Sequence, residues 1–110
     1  MEHIDLNAIA ELKEVMEEEF GILIETYLQD SVERLRQLKS ALEANDPVEF
    51  SRAAHSFKGS CTNIGAPVLA EYCLHAEKMG KSGNTREGMA TYRKIEAEFR
   101  EVDGILREYL

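Results

Sequence analysis

Apolar residues recur at spacings of three and four along nearly the whole chain, and no stretch of useful length alternates apolar with polar. Spacing of that kind gives each segment one hydrophobic face at the 3.6-residue helical period, so the chain reads as all-α. Asp5 can cap a first helix running to about Glu18, with Leu6, Ile9, Met16 and Phe20 inward. A long second helix is expected from near Gly21 to Ala44, carrying Ile24, Leu28, Val32, Leu35, Leu38 and Leu42. The next boundary is the clearest. Asn45-Asp46-Pro47-Val48-Glu49 supplies an N-cap Asp, a Pro at the first helical position and an acid at the third. This third helix ends at Gly65, where a left-handed residue is needed to close it. Pro67 opens a fourth helix through Met79, with Leu69, Tyr72, Cys73 and Ala76 inward. Lys81-Ser82-Gly83-Asn84 is the following break, and Asn84 or Thr85 caps a last helix to the C-terminus, striped by Met89, Tyr92, Ile95, Phe99, Val102 and Leu106. Short connections favour antiparallel neighbours, so the expected architecture is an antiparallel four-helix bundle with an additional short N-terminal helix.

The 110 residues suit one domain, 1–110, and are too few for two. Hydrophobic residues make up 44%, enough for a core. The net charge of −8 argues against nonspecific nucleic-acid binding, which depends on Lys and Arg to neutralise phosphates. No apolar run approaches a membrane span, and MEHIDL lacks the features of a signal peptide, so a cytoplasmic chain is expected. Cys61 and Cys73 fall on helix seams, where buried free thiols are the usual outcome.

The third helix carries the candidate chemistry. Phe50, Ala54, Phe57, Cys61 and Ile64 stack on one face at about 100° per residue, and His55 lies roughly 140° from its centre. Ser51, Lys58, Gly59 and Thr62 lie beside it. A neutral imidazole turned to water has a free nitrogen lone pair and can take a phosphoryl group as a phosphoramidate. Lys58, three residues on, brings a cation within reach. Gly59 sits mid-helix at a cost of roughly 1 kcal/mol against Ala, which implies a compensating need for clearance. From Ser51 to Ala66 there are two basic residues, Arg52 and Lys58, and no acidic one, a local reversal that suits a dianion.

Other candidates are weaker. His3 lies in a terminal segment expected to fray, and His75 falls on a polar flank beside Glu71 and Lys78. Paired Glu-x-x-His motifs for a di-metal bundle are absent, so no metal site is expected. Gly80-Lys81-Ser82 lacks the upstream glycine of a nucleotide-binding loop. Glu17-Glu18-Glu19 reads as a solvated acidic run that could also steer a basic partner.

His55-Ser56-Phe57-Lys58-Gly59-Ser60, then Asn63-Ile64-Gly65-Ala66, Leu69, Cys73 and Glu77, resembles the histidine-containing phosphotransfer (HPt) domain. The resemblance covers the chain in length and helix order and is specific from about Phe50 to Gly83. It implies that His55 is the phosphoacceptor, Lys58 its charge-stabilising neighbour and Gly59 the clearance residue. Glu77 would orient the imidazole, the alternative being a plain surface acid. Expected partners are response-regulator receiver domains and a hybrid sensor histidine kinase, with Mg²⁺ carried by the receiver and no cofactor here. The docking surface is expected to comprise Ser51, Arg52, Gly59 and Thr62, joined by Leu12 and Val15, which fall at the edge of the first helix's stripe. Met1 and the length suggest a stand-alone protein; the resemblance is to the bacterial type, and a monomer is expected. A second class stays open: a helical bundle that docks receivers or kinases without carrying phosphate.

Overall fold

The computed structural model describes residues 1–110. Helix α1 spans Leu6–Met16 and is followed by one 3₁₀ turn, Glu17–Glu19. Then come α2 (Phe20–Glu43), α3 (Pro47–Ile64), α4 (Pro67–Lys81) and α5 (Gly88–Arg107). Helices α2 to α5 form the bundle and α1 is the accessory helix; the molecule is 42 Å along its longest axis.

Local signals placed most boundaries. Asp5 accepts from the amides of Asn7 and Ala8, and Asp46 from that of Glu49. Gly65 closes α3 at φ 84°, a conformation that costs glycine little. Several ends differ from expectation. Helix α1 stops at Met16 because Glu17 turns to φ 50°. Three successive carboxylates would oppose the negative end of the helix dipole there. Helix α5 starts at Gly88, not at Asn84 or Thr85: the Asn84 side chain caps a tight turn at the Arg86 amide instead. A Cβ at Gly88 would collide with Leu42 of α2, so helix packing sets that start. Helix α4 runs two residues past Met79, to Lys81.

The core is built on Phe50, Phe57, Ile24, Leu38, Leu69, Ile95 and Leu106, all fully buried, with the Phe57 and Phe99 rings edge to face at 6.3 Å. Cys61 and Cys73 are buried free thiols. Leu6 and Val32, expected inward, are exposed. The inner position beside Val32 belongs to Ser31, fully buried, whose hydroxyl donates to the Tyr27 carbonyl at 2.7 Å. A hydroxyl bonded within its own helix leaves no unpaired donor in the core, so the buried stripe can run through a polar residue. The N-terminus does not fray. Ile4 is buried, the Asp5 amide donates to the Gly65 carbonyl at 2.8 Å, and His3 Nδ1–H donates to Glu98 Oε2 at 2.7 Å. These contacts clip the first residues across the end of α3 and onto α5. No helix is long and apolar enough to cross a membrane.

Candidate functional site

The seam between α3 and α4 is unusually tight, and glycine makes it so. A Cβ on Gly80 would lie 2.6 Å from the Pro47 carbonyl oxygen and 2.8 Å from the Ser51 amide nitrogen. Across this contact the Ser51 hydroxyl donates to the Glu77 carbonyl at 3.1 Å. Ser51 is therefore buried and occupied in helix packing, which removes it from the expected docking surface.

The same seam directs the Glu77 side chain under His55. Glu77 is only 3% exposed, so the surface-acid alternative fails, while 66% of the His55 side chain faces solvent. The carboxylate is shared by three donors. His55 Nδ1–H donates to Oε2 at 2.8 Å, Lys58 Nζ to Oε1 at 2.6 Å, and Lys81 Nζ lies 3.2 Å from Oε2. Lys58 foremost, then His55 and Lys81, holds the Glu77 carboxyl down at about 2 against the upward push of burial. It stays ionised at every ordinary pH. An ionised acceptor fixes the proton on Nδ1 and leaves the Nε2 lone pair pointing outward. Two ammoniums around one carboxylate leave one unit of positive charge in excess beside the imidazole.

Sequence reasoning missed two of these residues. Lys81 falls in the break expected after Met79, yet it belongs to α4; its signal was the four-residue step from Glu77 along one helix face. Gly80 carried no local signal, since its need comes from the neighbouring helix. Lys58 is present as expected, but its ammonium is spent on Glu77.

The remaining residues lie along the His55 face. Arg52 is exposed and paired with Glu49 at 2.9 Å. Thr62 is exposed, its hydroxyl donating to the Lys58 carbonyl. Gly59 is exposed, and a Cβ added there would meet nothing within 4 Å, so nothing inside the molecule requires a glycine at this position. Beyond it, Leu12, Met16, Leu23, Tyr27 and Ile64 line a groove of about 370 Å³ between α1, α2 and α3, with Ser60 and Asn63 at its edge. Leu12 is half-buried in that groove and Val15 stands 78% exposed. His75 is exposed. No three His, Cys, Asp or Glu side chains gather as a metal site would require.

A family profile described as Hpt domain matches residues 22–106. The chain belongs to the Hpt family. Among solved structures, this Hpt chain is similar to histidine-containing phosphotransfer protein B (HptB) from Pseudomonas aeruginosa PAO1. The two share 39% identity and a TM-score of 0.95, over 97% of this chain and 93% of that one. Histidine-containing phosphotransfer protein 4 of Arabidopsis thaliana is 29% identical over 75 residues. That match takes in 66% of this Hpt chain and spans 58% of the plant protein's length. The antiparallel helical bundle expected from the hydrophobic pattern is thus the family's fold.

Proposed function

We propose that this protein is a phosphocarrier of a two-component multistep phosphorelay. His55 accepts a phosphoryl group from a receiver-domain aspartate and passes it to the aspartate of a response regulator. The observation that carries the reading is the exposed imidazole whose Nδ1–H is held by a buried, ionised carboxylate. The Nε2 lone pair attacks phosphorus, the bond from phosphorus to the aspartyl oxygen breaks, and its electron pair leaves with the carboxylate. The proton remains on Nδ1, so the phosphorylated ring is cationic and Glu77 offsets that charge throughout. A carboxylate matters here more than a neutral amide, because the interaction strengthens as the P–N bond forms.

The protein needs no ATP site or metal of its own in this scheme, since the receiver brings Mg²⁺ to neutralise the transferring group. A hybrid sensor histidine kinase feeds the relay, and the carrier works as a cytoplasmic monomer. The receiver docks over His55, with Arg52, Gly59 and Thr62 around the histidine and Leu12 and Val15 on α1. The apolar groove at the end of that face and the polar residues around it suit an interface core with a charged rim.

The test is incubation with a phosphorylated receiver, followed by measurement of acid-labile label. Label should appear on the parent and vanish in His55→Gln, with helical circular dichroism retained because the side chain is exposed. Acid-labile phosphate on His55→Ala would refute the assignment.

A further inference from the structure

The two lysines that share Glu77 differ in exposure and in what surrounds them. Lys58 is 28% exposed and bonds Oε1 at 2.6 Å. It borders a recess with Thr62, Gly65, Ala70 and Leu74. Lys81 is 69% exposed and makes the longer contact, 3.2 Å to Oε2, the same oxygen that holds Nδ1–H. It lines a different recess of about 420 Å³, open to solvent, whose walls are Ser51, Arg52, His55, Ser56, Glu77 and Lys81. Every residue around that recess is polar, and none is Lys58. A dianion placed on Nε2 would find two cations there, one with its ammonium loosely held.

The geometry points to a division of labour: the phosphoryl group on His55 rests in the recess between α3 and α4, Lys81 moves from Glu77 onto its oxygens, and Lys58 stays on Glu77 as a positioning residue. This deepens the phosphocarrier reading and rests on it. The movement is physically economical. Phosphorylation adds negative charge beside a carboxylate, and an ammonium released by Oε2 neutralises the newcomer while Lys58 still balances Glu77. Oε2 then serves the cationic ring alone. Arg52 stands at the same rim, free to add a second contact if it leaves its exposed pair with Glu49, a pair of a kind that contributes little.

The experiment loads His55 chemically with phosphoramidate, which needs no receiver, and follows the phosphoryl group by ³¹P NMR across pH. Parent, Lys81→Gln, Lys81→Arg and Lys58→Gln are compared, with the imidazole ¹⁵N signals recorded on each. Loss of the facing cation in Lys81→Gln should raise the phosphoryl group's second pKa and shorten the phosphohistidine lifetime roughly three- to tenfold, as expected for one charge-assisted contact. Lys81→Arg should restore both. Lys58→Gln should show instead in the imidazole, as a weakened preference for the Nδ1–H tautomer. A phosphoryl titration displaced by Lys58→Gln and not by Lys81→Gln would reverse the roles and overturn the proposal. A titration indifferent to both would overturn it too, by placing the group outside the recess. Failure of the parent to take label from either phosphoramidate or a receiver would sink the phosphocarrier reading itself, a result separable from the other two.

Discussion

Gly59 offers a test in which stability and function should move in opposite directions. It lies inside α3, five residues from the end, and a Cβ there meets nothing within 4 Å. Replacing glycine by alanine inside an exposed helical segment removes about 0.8–1 kcal/mol of backbone-entropy cost, and no clash subtracts from the gain. For a domain of this size that corresponds to a rise in Tm of about 4–6 °C. Glutamate has nearly the helix propensity of alanine, so Gly59→Glu should keep most of the increase. Binding should respond in the opposite sense. The new carboxylate would project one turn from His55, where the acidic pocket of a receiver closes in the proposed docking. Like charges brought together at an interface cost about 2–3 kcal/mol, which is roughly 30- to 150-fold in Kd. Thermal melts by circular dichroism and a calorimetric titration with the cognate receiver measure the two effects on the same samples. A lower Tm in Gly59→Ala would refute the claim that the site is empty of neighbours. Parental affinity and transfer rate in Gly59→Glu would refute docking over this face.

Gly80→Ala should behave in the opposite way to Gly59→Ala, destabilising the fold by about 1–3 kcal/mol, because the added carbon meets the backbone of Pro47 and Ser51 and the helices must part; an unchanged melting temperature would count against the tight seam. Glu77, whose carboxyl is lowered from 4.5 to about 2, contributes stability that is fully present above pH 4.5 and is lost as pH falls through about 2. Urea midpoints taken between pH 5 and 2 should therefore drop more steeply in the parent than in Glu77→Gln. His3 is raised above 6.5 by its bond to Glu98, so the N-terminal clip is at full strength below that pH and weakens as pH rises through the raised value. Amide exchange at Asp5 should accelerate over that range in the parent, and should be fast at all pH values in His3→Ala.

Much of this was legible along the chain because its causes are local. Asp46, Pro47, Gly65 and Pro67 mark helix ends through their own backbone chemistry, and His55 announces itself by lying off the apolar face of α3. What escaped depends on a second helix. Ser31 displaces Val32 from the core because the buried stripe of a 24-residue helix is set by its neighbours, and a hydroxyl bonded to its own turn fits there. Gly88 begins α5 because Leu42 lies against it. Ser51 looked like surface beside the histidine, yet it meets α4 across Gly80. That one approach also decides whether Glu77 is a solvated acid or the anchor of the imidazole. The distance between α3 and α4 is written in Gly80, a residue whose meaning appears only when both helices are in place.

The three side chains bonded to the Glu77 carboxylate all come from α3 and α4, whereas Leu12 and Val15 stand on α1, which joins the bundle through Ile4, Ile9 and the Asp5–Gly65 bond. The groups around the Glu77 carboxylate and the α1 part of the proposed docking surface thus sit on separate helices. Under the proposed docking, substitutions at Leu12 and Val15 would alter the receiver contact while leaving every side chain bonded to Glu77 in place, so recognition on α1 could change without a change in the chemistry of His55.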